Sequence, residues 1–180
     1  MVDTLKKDFD IKDIWVPHEI HPETPPQGRA MNELFSQFDV DHMLAECRRR
    51  VLPYDLKFGA LTWLSNSHSS LEAAEYAREN GHYDAFHHAV FKAYFSETHD
   101  IGDRRVLQGI AKQIGLDPQE LEKALNTGIH SNRVAQGTME ARKRGITAVP
   151  TFFIEDLPPI IGAAPENRFR SALQSIEERK

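Results

Sequence analysis

Cysteine is almost missing from this chain: Cys47 is the only one in 180 residues. A single thiol excludes an internal disulfide, a cysteine-based zinc site and a Cys-x-x-Cys redox pair. Long apolar runs are missing too. None approaches the roughly 20 residues a helix needs to cross a bilayer, so no membrane partner is expected. The opening MVDTLKKDFD has neither an apolar h-region nor a small-residue cleavage site, and no signal peptide is visible. Together with the scarcity of cysteine, this sets a cytoplasmic address as the expectation. Basic charge of the kind that grips nucleic acid is also lacking: the formal net charge is -5, and Lys and Arg are scattered rather than striped. There is no internal repeat, no low-complexity tract and no HExxH. His87 and His88 are adjacent and diverge on a helix, while His18 and His21 lie in an extended stretch and face opposite sides. No metal site is expected from them.

What is present is an ordinary soluble composition, 40% hydrophobic and 27% charged, with enough apolar material for one sizeable core. Val2, Leu5 and Phe9 sit at helical intervals. Ile14, Val16, His18 and Ile20 then alternate with Trp15, Pro17 and Glu19, which predicts a β-strand carrying an edge or bulge at Pro17. HPETPPQGR reads as a loop. Val40, Met43, Leu44, Cys47 and Val51 mark an amphipathic helix over 39–51, and LPYDLKFGALTW reads as irregular or extended. A helical block follows. Asn66 or Ser67 caps its first helix and Gly81 stops it. Tyr83, Phe86, His87, Val90, Phe91, Tyr94 and Phe95 form the cleanest stripe in the sequence, and this stripe predicts the core of the block. Further helices run from Asp103 to Gly115, from a capping box at Asp117, Pro118 and Glu120, and from about Asn132 to Arg144.

The pattern then changes. ITAVPTFFIE is β-branched and aromatic, LPPIIG predicts a second strand pairing with it antiparallel, and Pro165 opens a helix with Phe169, Ala172, Leu173 and Ile176 on one face. Pro150 cannot donate to a sheet ladder and biases Val149 to an extended conformation. Standing alone, VPT reads as a strand-edge proline. A cis Val149–Pro150 bond would turn the backbone of Val149 outward, leaving its N–H and C=O to hold an extended peptide or a thiol ligand.

The segment ITAVPTFFIEDLPPIIGAAPENRFRSALQSI resembles the ending of DsbA-like thioredoxin-fold oxidoreductases, especially their FrnE-like cytoplasmic branch. SNSHSSLEAAEYARENGHYDAFHHAVFKAYFSETHDIG is similar to the helical insertion of that branch, and DIWVPHEIHPETPPQGR to its second strand and following loop. The resemblance implies an α/β fold, a thioredoxin-like four-stranded sheet flanked by helices with an all-helical insertion. Residues 1–60 and 145–180 are then the thioredoxin-like domain, and 61–144 the insertion. It also implies a thiol–disulfide oxidoreductase or isomerase, with Val149, Pro150 and Thr151 binding substrate. The partner would be a thiol- or disulfide-containing protein or small molecule.

Family members open with a strand that delivers Cys-x-x-Cys to a helix N-terminus, where the helix dipole stabilises the attacking thiolate. This sequence has neither. Two explanations are open: Met1 is an internal methionine of a longer protein, which is the reading favoured here, or the family gene has become a non-redox one. Either way the chain as it stands is expected to be redox-inactive, and to cover the gap in its sheet by forming a homodimer or by placing another segment there. Cys47, on an apolar helix face, reads as a structural thiol. In the related kappa-class glutathione transferases and 2-hydroxychromene-2-carboxylate isomerases, an Asn in a place similar to Asn66 lines the pocket. Asn66 is therefore a second candidate for substrate binding, and glutathione is a possible ligand, with no tightly bound cofactor. Ala163 and Ala164 offer small side chains, and their N–H groups precede a helix. A non-catalytic peptide-binding protein is the remaining alternative.

Overall fold

Helical periodicity in the middle of the chain becomes α4 (His68–Glu79), α5 (Tyr83–Phe91), α6 (Arg104–Gln113), α7 (Pro118–Thr127) and α8 (Ser131–Lys143). In this computed structural model, which describes residues 1–179, the chain divides into two units. One is formed by Met1–Val16 with Met139–Lys180 and the other by Pro17–Thr138.

The larger unit holds most of the core. Ala73, Ala77, Phe86, Val90, Leu107, Ile110, Ala111, Leu121 and Leu125 are buried together, contributed by α4 to α7. Small Ala73 and Ala77 share this cluster with large Phe86 and Leu107, the mix of sizes that lets helices interdigitate. The stripe on α5 is only partly core. Phe86 is fully buried, whereas Phe91 is 48% exposed. Phe91 packs instead against members of its own stripe, its ring centre 4.4 Å from that of His87 and 5.5 Å from that of Phe95, and the chain continues beyond it as a π-helical turn, Lys92–Ser96, in which Ala93 is buried. At the other end of α5, burial pushes the Tyr83 hydroxyl up to about 12, while the guanidinium of Arg78, 3.7 Å from the ring centre, acts in the opposite direction.

A smaller cluster in the same unit is built from Met31, Leu44 and Leu61, with Phe35, Phe58 and Phe95 against it. It draws on α2 (Met31–Leu34), α3 (Val40–Val51) and a two-stranded antiparallel sheet of β1 (Arg29–Ala30) with β2 (Trp63–Leu64). Neither α2 nor this sheet is legible in the sequence, because both elements are too short to show a period. Gly28, φ +74, makes the approach to β1 possible: a Cβ there would meet the Trp63 indole nitrogen and the Leu64 carbonyl.

The smaller unit contains α1 (Val2–Leu5), β3 (Thr151–Phe152), β4 (Ile160–Ile161) and α9 (Glu166–Glu177). Leu5, Ile160 and Phe169 form its centre, and Phe152 meets Phe169 edge to face at 4.9 Å. The hairpin is the expected antiparallel one, with Thr151 opposite Ile161 and Phe152 opposite Ile160.

The strand expected over Ile14–Ile20 is not formed. Residues 10–19 carry no regular structure, although burial does alternate from Ile11 to Val16. The backbone groups of Ile11, Lys12, Ile14 and Val16 have no hydrogen-bond partner among the described residues. Alternation places side chains, but a strand also needs a neighbour to complete its ladder. The family's four-stranded sheet, expected here without its first strand, is represented among the described residues by two separate two-stranded sheets, β1 with β2 and β3 with β4.

Candidate functional site

The candidate site is built where α8 hands over to β3. Gly145, φ +66, ends the helix, and residues 147–150 run exposed to the strand. The Val149–Pro150 bond is cis. The C=O of Pro150 accepts the N–H of Gly162 at 2.7 Å, which ties the proline to β4. The hydroxyl of Thr151 donates to the C=O of Ala148 at 2.7 Å and closes a turn around Val149. Between these two fixed points, the N–H and C=O of Val149 have no partner among the described residues, and the residue is 45% exposed. A backbone donor and acceptor held open at a strand end can capture another extended chain by main-chain hydrogen bonding. Nearby Phe153 is 45% exposed and carries the guanidinium of Arg144, 5.0 Å from its ring centre. It offers a flat apolar surface with a cation on it.

Asn66 belongs to the larger unit, whereas Val149, Pro150 and Thr151 lie together in the smaller one. Both ends of its carboxamide are engaged. Oδ1 accepts the N–H of His68 at 3.0 Å, and Nδ2 donates to the buried C=O of Thr24 at 2.6 Å. The N-cap position itself is Ser67, which makes no side-chain capping bond. Asn66 thus supplies the cap from one residue further out and staples a loop to α4.

Cys47 is half-buried, not fully buried. On α3 only Leu44 is buried and Met43 is exposed, so the apolar face foreseen for the helix is narrower than its spacing suggests. The three arginines that follow are occupied elsewhere. Arg48 donates to the C=O of Gly59, while Arg49 and Arg50 donate to Glu46 and hold that carboxyl down to about 2. None of these cations has a contact with the thiol. The N–H of Ala164, a candidate for receiving a ligand carboxylate, is bonded to the C=O of Gly162 at 2.9 Å. Among the described residues, no group of three or more His, Cys, Asp or Glu is placed to hold a metal ion, and no helix is long and apolar enough to cross a membrane.

Sequence reasoning missed one constellation, because its members are far apart in the chain. The His68 imidazole lies between two carboxylates, with Nδ1 3.2 Å from Glu19 and Nε2 2.9 Å from Glu72. Glu72 is buried and also accepts the hydroxyl proton of Ser131. Only the His68–Glu72 spacing of four on a helix could have signalled it.

A β-hairpin followed by a packed helix, with a proline opening the first strand and a large helical block earlier in the chain, defines a thioredoxin-like protein. Residues 1–174 match the DSBA-like thioredoxin domain, and the chain belongs to that family. It is 28% identical over 175 residues to the YwbO protein of Bacillus subtilis (strain 168), covering 97% of this chain and 86% of that one. Among solved structures it is similar to a Streptomyces coelicolor protein described as a probable DsbA oxidoreductase. There the TM-score is 0.79 at 20% identity, over 90% of this chain and 74% of the other. It is also similar to a 2-hydroxychromene-2-carboxylate isomerase, with a TM-score of 0.78 at 18% identity, over 99% of this chain and 87% of the other. At such identities these two structures establish a shared fold.

Proposed function

We propose that this chain is a DsbA-family thiol–disulfide oxidoreductase or isomerase scaffold that binds an extended thiol- or disulfide-containing partner along Val149, Pro150 and Thr151. On this reading the chain does not turn that partner over with its own thiols. The observation that carries the reading is the open backbone of Val149, fixed on either side by the Pro150–Gly162 and Thr151–Ala148 hydrogen bonds. Redox inactivity follows from thiol arithmetic. Exchange needs an attacking thiolate and a second thiol to resolve the mixed disulfide. Cys47 is the only cysteine in the chain, and it has no cationic partner among the described residues.

The glutathione-dependent alternative rests on Asn66 and on the N–H groups before α9. Asn66 and the Ala164 N–H are already committed within the fold, which supports the first reading. The proposal extends to a cytoplasmic homodimer: Ile14, Val16, Val149, Phe153 and Ile161 of the smaller unit are all exposed apolar residues.

The test is an NMR titration with an extended peptide carrying an S-methylated cysteine, run beside a glutathione titration and an insulin-reduction assay. The expected result is peptide-dependent shifts of the Ala148, Val149 and Thr151 amides, with insulin reduction no faster than the dithiothreitol blank. Shifts confined to other regions, or catalysed reduction, would overturn the proposal. Glutathione shifting Asn66 instead would establish the alternative.

A further inference from the structure

The chain passes between its two units twice, after Val16 and after Thr138. On the larger unit's side these crossings lie against each other. The N–H of Glu19 donates to the hydroxyl of Thr138 at 3.0 Å. One residue earlier on α8, Gly137 allows the Pro17 carbonyl so close that an added Cβ would clash with it. The side chain of Glu19, the residue that makes the first of these contacts, is turned to His68.

We propose that the His68 imidazole is a proton-operated clamp on this crossover, closed when the ring is charged. The argument is an inventory of donors. The two ring nitrogens face only acceptors: Nδ1 faces both oxygens of Glu19 at 3.2 Å, and Nε2 faces Oε1 of Glu72 at 2.9 Å. A charged imidazole has an N–H on each nitrogen and satisfies both carboxylates with charge-assisted bonds. A neutral ring has one N–H, so one of its nitrogens turns a lone pair towards a carboxylate oxygen. Loss of the proton therefore removes one bond and sets two acceptors against each other.

Glu72 cannot swing away to relieve this. It is buried, and the Ser131 hydroxyl at the start of α8 holds the same oxygen. Glu19 is the member that yields, because it lies outside any helix or strand and its backbone is tied to α8 through the Thr138 hydroxyl. The clamp thus releases at the crossover and not within the helices.

The groups facing the ring are Glu19 from the crossing segment and Glu72 from α4, with Ser131 of α8 behind Glu72. The His68 backbone N–H is held by Asn66. One turn along α4, Glu75 is paired with Arg78 and Arg133, and Glu79 lies near His130. Neither glutamate is paired with the His68 ring. Only the charged ring closes the clamp, so protection is greatest on the acidic side of the imidazole titration and falls as pH rises through it.

The test follows amide exchange at Glu19, corrected for the intrinsic rate, from about pH 5.5 to about pH 9.5, alongside the ring ¹⁵N shifts of His68; this range spans imidazole titration. In the wild-type protein, the Glu19 protection factor is expected to fall about tenfold or more as the His68 ring loses its proton, a tenfold change being the equivalent of about 1.4 kcal/mol. In His68→Gln it is expected to stay flat. A protection factor that does not follow the His68 shifts, or one that falls equally in His68→Gln, would overturn the clamp. Should His68→Gln not fold, Glu19→Gln provides the second variant. It removes the charge facing Nδ1 and is expected to abolish the same pH dependence, and persistence of that dependence rejects the proposal.

Discussion

Two glycines in helix interiors show how little a residue's type says without its surroundings. Gly109 in α6 has nothing within 4 Å of a Cβ built on it, whereas Gly137 in α8 lies against the carbonyl of Pro17. Gly109→Ala removes chain entropy from the unfolded state at no steric cost, and should stabilise by about 0.5–1 kcal/mol. Gly137→Ala forces backbone against backbone and should destabilise by about 1–3 kcal/mol. Urea midpoints measure both. If the two substitutions move the midpoint in the same direction, the close approach of Pro17 to α8 is wrong. Pattern reading treats the two glycines alike, because the contact that separates them joins residues 120 positions apart. The candidate binding site is more legible. Val149, Pro150 and Thr151 are consecutive, and the constraint of a proline on its predecessor is a local one. Asn66 could be placed at a helix start from sequence, but its second hydrogen bond, to Thr24, could not.

At the scale of elements, helices with both capping chemistry and a wide apolar stripe lie where their sequences put them. For α7, Asp117 accepts the N–H groups of Gln119 and Glu120, Pro118 occupies the first turn, and Gly128 closes the end at φ +59. Only half of the anticipated capping box is made, since Glu120 turns outward to Lys123 at 2.6 Å. An exposed ion pair competes there with a backbone N–H that water can satisfy. Asp117→Ala should cost about 1 kcal/mol. Ser67→Ala should change stability by no more than about 0.5 kcal/mol, the usual range for surface substitutions, because the Ser67 hydroxyl makes no capping bond. Thermal unfolding of the pair measures this, and equal losses would contradict the capping assignment. The stretch from Ile11 to Ile20 behaves differently. Its alternation is real, since Ile14 and Val16 are exposed while Trp15 is half-buried and Pro17 buried. A helix closes its hydrogen bonds within itself, whereas a strand depends on a partner that no local pattern supplies.

Across the whole molecule, stability should be uneven. The larger unit buries eleven side chains in its main helical cluster, and the smaller one buries three around two short strands. Amides in α4 to α6 are therefore expected to exchange at least tenfold more slowly than those of Phe152 and Ile161, with the difference read by native-state hydrogen exchange. Equal protection would mean that both units open in a single step. What the sequence by itself determined was the helical block, the β3–β4 hairpin with its proline, the final helix and the family to which they belong. Each of these depends on bonds or spacings within about a dozen residues. Tertiary structure alone decided that no strand forms over Ile11–Ile20, that Asn66 is used within the fold, and that His68 stands between Glu19 and Glu72. Each of those is settled by a partner distant in the chain, and a one-dimensional pattern carries no information about which distant groups meet.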